Sequence, residues 1–391
     1  MRPQSRRAIV RAMSSRPLQV LIAGGGVAAL EATLALRELA EDRVDVEVLA
    51  PEDDFVYRAM SVAEPFGQGE ARRFPLARLV ELAGGRLTSG ALAGVDLPRR
   101  RGWTVDREEV SWDVLLIALG ARMREGVPGA LTFRGSPSRT AATQLVDDAS
   151  AGRLGSLTFA VPTRAAWTLP LYELALMTKT HLDELGATQV GIDVVTPEDE
   201  PLGVFGHNAS TEVRQLLDTR RIGLRARTTP VVFRNGALVV VPGRAIRADR
   251  VVSVPVPEGL RIPGIPTDGH GFIRTGQNGQ VEGFEDVYAA GDITSFPLKQ
   301  GGIATQQADA AAESIAALAG APVIPRPFRP VLRGLLLTGL TPRFLSANLL
   351  DANSEADTEP LWWPPAKVVG KYLAPFLAEH VGLSLTSASA R

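Results

Sequence analysis

Gly24, Gly26 and Ala29 stand at the spacing Gly-x-Gly-x-x-Ala, and each position has its own physical task. A glycine at 24 permits a tight turn, a glycine at 26 lets a pyrophosphate approach the backbone, and a small residue at 29 keeps the next helix close to its sheet. Gly25, Val27 and Ala28 complete the loop and the first helical turn, where free N–H groups and the helix dipole favour phosphate. The chemistry this spacing offers is dinucleotide binding. Glycine-rich loops also serve turn geometry alone, so the flanking elements decide. Residues 18–23 (LQVLIA) are an apolar run of buried-strand type, residues 27–36 have helical spacing, and residues 44–49 (VDVEVL) read as the next strand, giving a βαβ unit. The acid expected at the end of that second strand to hold a ribose is missing. The chain reads Leu49-Ala50-Pro51, with Glu52 as the nearest substitute and Glu47 inside the strand, facing another way.

A second motif lies far downstream, at Asp286-Val287-Tyr288-Ala289-Ala290-Gly291-Asp292. Alone, a strand ending in Gly-Asp is only a turn. Together with the first motif, and with residues 113–120 (DVLLIALG) between them, it resembles the two-dinucleotide-binding flavoprotein superfamily that contains the pyridine nucleotide-disulfide reductases. The resemblance implies FAD as cofactor, with Asp292 after Gly291 on its ribitol. Ala118 and Gly120 close the intervening strand, which ends Ala-Leu-Gly where the family has Ala-Thr-Gly. Glu52 and Arg58 join the cofactor-binding set. Residues 297–307 (PLKQGGIATQQ) are similar to the stretch after Gly-Asp in sulfide:quinone oxidoreductases and type II NADH dehydrogenases. This implies that Gly302 and Ile303 offer backbone donors to the flavin pyrimidine and that Lys299 adds a cation. A helix N-terminus is suited to the negative charge of a reduced flavin; the plainer reading is a Gly-led helix start beside a solvated lysine.

The second half narrows the chemistry. Its strand–turn–helix unit, from residues 156–161 through a helix near 170–185 to residues 189–195, has the turn Ala160-Val161-Pro162-Thr163-Arg164-Ala165-Ala166. That turn has no glycine, and Pro162 lacks a donor, so dedicated NAD(P)H binding is not expected there. Sulfide:quinone oxidoreductases and flavocytochrome c sulfide dehydrogenases share this loss. Pro170-x-Tyr172-Glu173 resembles a segment of the sulfide enzymes, and their redox cysteines correspond to Trp167 and to the apolar stretch 331–336. The chain has no cysteine, so thiolate chemistry of that kind is excluded. Trp167 either stacks over the isoalloxazine and shapes a planar pocket, or fills the volume of a lost disulfide. Glu173 is either a proton relay or a salt-bridged helix residue.

Composition sets the outer bounds. With 391 residues, 45% hydrophobic and 22% charged, the chain has the makings of two or three globular domains. Its 42 basic and 43 acidic residues nearly cancel, which gives no electrostatic ground for a nucleic-acid partner. Four scattered histidines show no zinc spacing, and no apolar run reaches the roughly 18 residues of a membrane span. The expected location is cytoplasmic.

The expected fold class is α/β: two Rossmann-like dinucleotide-binding domains, each a three-layer ββα arrangement, with a C-terminal appended segment. Residues 17–125 plus 256–325 form the FAD-binding domain, 126–255 the second, degenerate NAD-type domain, and 326–391 the appended segment; residues 1–16, rich in arginine, form a disordered arm. Asp351 to Glu359 reads as an acidic loop. The amphipathic stretch 366–377, interrupted by Pro375, either rests on a membrane surface near a quinone or packs on the FAD domain or a second subunit of a homodimer. Packing is expected, because only Lys367 and Lys371 accompany it. The partners implied are a small-molecule electron donor and acceptor, a quinone among them. Three activities stay open: a cysteine-independent FAD oxidoreductase, a non-catalytic FAD-binding sensor, and an NAD(P)H-dependent flavin reductase.

Overall fold

The computed structural model describes residues 16–351 and 353–381. The arm expected at the N-terminus lies outside them except for Arg16, which reaches Asp113 at 3.1 Å.

The first sheet has five parallel strands in the order Val287–Ala289, Val114–Ile117, Leu18–Ala23, Val44–Ala50, Arg86–Ser89. Every residue of Val114–Ile117 is buried, which explains why it reads as an unbroken apolar run. Helices Val27–Ala40 and Gly301–Leu318 lie together on one face. Their contact is made largely of alanines, including Ala28, Ala32, Ala308 and Ala312, so two helices fit beside one another over a narrow sheet. The other face is covered by a meander of Leu92–Asp96, Arg101–Thr104 and Glu109–Ser111, which packs Leu92 and Val95 against Leu21 and Ile117. Helices, sheet and meander make three layers.

The second sheet repeats the plan, with parallel strands in the order Leu131–Thr132, Arg250–Ser253, Ser156–Ala160, Gly191–Val195, Gly223–Arg225. Helix Leu169–Glu184 covers one face, and the meander Thr229–Arg234, Ala237–Val241, Ile246–Arg247 covers the other. In both sheets the strands are parallel, so their C-terminal ends lie along one edge, where doubly wound sheets place ligands.

The C-terminal segment is more structured than its prolines and acids suggest. Val331–Leu336, Arg343–Asn348 and Ser354–Asp357 form an antiparallel sheet, so part of the expected acidic loop is a strand. The last helix, Leu373–Val381, starts later than the amphipathic pattern implies. Pro375 falls in its first turn, where a missing N–H costs nothing; it does not interrupt the helix. Leu373, Ala374, Phe376 and Leu377 bury into the first domain, so this face packs inward. Trp362 meets Phe344 edge-on at 5.0 Å, whereas Trp363 is 86% exposed. Among the described residues no helix is long and apolar enough to cross a membrane, and no group of three or more His, Asp or Glu is placed to hold a metal.

Candidate active site

A cleft of about 830 Å³ runs along the strand ends and gathers residues from across the chain. Gly24, Gly25, Gly26, Val27 and Ala28 line it, with Glu52 and Arg58 from the segment after the second strand. Ala118, Gly120, Gly291, Asp292 and Lys299 line it from the first sheet, and Trp167 and Glu173 from the second domain. Ala29 is fully buried behind the loop, in keeping with a packing task.

The glycine loop has features that its own packing explains and one that it does not. Gly24 has φ +121°, and a Cβ there would stand 2.3 Å from the Ala118 carbonyl oxygen, so both turn and strand contact demand glycine. Gly26 is different. Its φ of −89° suits any residue, and a Cβ would meet nothing within 4 Å. The space in front of it is open, as close approach of a ligand to the backbone requires.

The Gly291–Asp292 turn is held by protein groups. The Gly291 N–H donates to Gln307 Oε1 at 2.8 Å, and Thr294 Oγ1 donates to the Gly291 carbonyl at 2.9 Å. The Asp292 carboxylate is left free: among the described residues no donor hydrogen-bonds to it. Burial pushes its pKa up, opposed by the charge of Lys299. Lys299 lines the cleft, but its ammonium donates to the carbonyls of Thr294 and Phe296, the latter at 2.7 Å, and lies 4.1 Å from the centre of the Phe272 ring. Burial lowers its pKa to about 8 against the pull of Asp292 and Asp268.

Gly302 and Ile303 do not line the cleft, contrary to expectation. Gln300 precedes the helix, and its side-chain oxygen accepts the Ile303 N–H at 2.9 Å. That donor is occupied by the protein's own cap, and Gln300, Gly301 and Ala304 face the cleft instead. Glutamine is not among the residues usual at an N-cap, so the residue type does not announce this cap.

Glu173 is fully buried and committed. Its oxygens accept the Lys367 ammonium at 2.6 and 2.8 Å and the Leu337 N–H at 2.8 Å. Burial raises its pKa, and Lys367 opposes the rise. Glu173 thus stands in a buried salt bridge and not on a solvated helix face. Lys367 and Val368 also line the cleft. Their part was invisible in sequence, because it depends on the chain end returning over the helix start: Val368 N–H donates to Tyr57 Oη at 3.2 Å, and Thr305 Oγ1 donates to the Val369 carbonyl at 2.8 Å.

No protein-family model matches the chain, and no curated protein does. Solved structures do. The sulfide:quinone oxidoreductase of the hyperthermophilic bacterium Aquifex aeolicus superposes with a TM-score of 0.76 at 18% identity, over 87% of each chain. A ferredoxin reductase of Rhodopseudomonas palustris gives 0.63 at 18% identity, over 84% of this chain and 81% of its own. An NAD-dependent persulfide reductase of A. fulgidus gives 0.61 at 16% identity, over 84% and 64%. The chain shares the fold of these oxidoreductase and reductase structures. Within it, the places expected for redox cysteines are filled. Trp167 packs against Phe205 with ring centres 5.8 Å apart. A Cβ on Gly334, in the 331–336 strand, would stand 2.5 Å from the Phe205 ring.

Proposed function

We propose that the protein is an FAD-dependent oxidoreductase that works without cysteine, passing electrons between a donor and a small-molecule acceptor, a quinone among the candidates. The observation that carries this reading is the cleft joining open space at Gly26 to the unengaged carboxylate of Asp292. In this reading the helix start at Val27 holds the pyrophosphate, Asp292 accepts from ribitol hydroxyls, and Gln300–Gly301 face the ring system. Glu52, exposed at the cleft, stands in for the missing ribose acid. FAD supplies hydride and single-electron chemistry when bound; the chain supplies position, charge and exclusion of water. Trp167 is the side chain offered to a planar reactant.

The commitment of Glu173 to Lys367 supports a second reading, a non-catalytic FAD protein, because it leaves the cleft without that proton relay. Absorption of the purified protein, followed by anaerobic reduction with a panel of thiols, sulfide, quinols and pyridine nucleotides, separates the readings. A yellow protein bleached by one of them supports the oxidoreductase. A yellow protein that none reduces supports the non-catalytic reading, and a colourless one that gains no spectrum with added FAD removes both.

A further inference from the structure

The second sheet carries an acid close to where a dinucleotide fold keeps its ribose ligand: Glu198, three residues beyond the strand Gly191–Val195, much as Glu52 follows the strand Val44–Ala50. Its carboxylate is turned inward. One oxygen accepts Thr168 Oγ1 at 3.0 Å; the other accepts Tyr172 Oη at 2.6 Å and Thr196 Oγ1 at 2.8 Å. Thr168 is the residue before helix Leu169–Glu184, and Tyr172 lies one turn into it. The carboxylate is therefore seated beside the helix start where a pyrophosphate would rest in this fold.

The donors an incoming phosphate needs are also depleted. Pro162, in the turn after the first strand, has no N–H, and neither has Pro170 in the first turn of the helix. The Leu171 N–H is taken by the Thr168 carbonyl at 3.0 Å. The turn itself is closed by Ala165 N–H on the Pro162 carbonyl at 3.0 Å and is anchored to the first domain through Lys299 N–H on the Ala166 carbonyl at 3.3 Å.

We propose that Glu198 is a specificity determinant that replaces a bound dinucleotide with an internal carboxylate, so that the second domain rejects NADH and NADPH. The electron donor is then a non-nucleotide molecule that reaches the cleft directly. The exclusion of the nucleotide rests on the fold and only the statement about the donor rests on the proposed function, so the two fail separately.

The test is isothermal titration of the purified protein with ADP-ribose and with NADH, comparing the wild type with Glu198→Ala. The wild type is expected to show no saturable binding at millimolar ligand, and Glu198→Ala to gain saturable ADP-ribose binding that NADH competes away. Glu198→Gln, which keeps the side-chain length and removes the charge, is the second variant should the alanine form fail to fold, and is expected to shift in the same direction. If Glu198 were instead a working ribose ligand, the wild type would bind and both variants would weaken; that result overturns the proposal. Folded variants that gain nothing overturn it too.

Discussion

Gly26 and Asp292 make opposite demands on the protein, and each can be tested alone. At Gly26 a side chain has room and an ordinary backbone conformation, so Gly26→Val is expected to leave the stability of the cofactor-free protein within about 0.5 kcal/mol while abolishing FAD uptake. Paired thermal melts and flavin spectra check this; an equal loss of both would show that the glycine serves packing. Asp292→Ala removes a charged acceptor worth about 1.5–3 kcal/mol and is expected to weaken FAD binding roughly tenfold to hundredfold, measured by flavin fluorescence titration. These two residues were legible in the sequence because their demands are local, a glycine spacing and a strand end. Gln300, Lys367 and Glu198 were not legible in the same way. Their importance comes from which groups the fold brings against them, and a lysine or glutamate in isolation reads as a solvated side chain.

The elements that most departed from expectation are the last ones. Ser354–Asp357 has poor strand propensity and alternates between half-buried and exposed. It can be a strand because an outer position in a three-stranded sheet asks little of its side chains. The final helix is positioned by charge. Glu31, fully buried in the first helix, accepts the Tyr372 N–H at 2.9 Å and the Leu373 N–H at 2.7 Å. Burial, followed by the charge of nearby Glu31, lifts the pKa of Asp309 to about 8, against the pull of Lys371. The folded pair thus keeps a proton that an unfolded aspartate releases near pH 4. The stability linked to that proton is full below about pH 4 and declines as the pH rises to about 8. The melting temperature of the wild type is expected to fall across that window relative to Asp309→Asn; parallel pH profiles would refute the retained proton. Lys367→Met leaves the Glu173 carboxylate buried without its cation and is expected to cost about 3–5 kcal/mol, with Lys367→Met/Glu173→Leu recovering much of it, as chemical denaturation can measure.

Across the whole molecule, the presence of two Rossmann-like units was readable from their apolar strands and the turns between them. The way the chain end joins them was not. Residues 367–373 are bonded to Tyr57 and Glu31 of the first domain, to Thr305 of the Gly-led helix and to Glu173 of the second domain. This segment is therefore also a wall of the cleft, and that wall is complete only once the segment has docked on both domains. A cofactor captured before that wall is laid down meets a wider entrance than one arriving afterwards. Refolding from denaturant with FAD present throughout is expected to yield more yellow protein than adding FAD once refolding is complete, and equal yields would show that the finished cleft admits its cofactor freely.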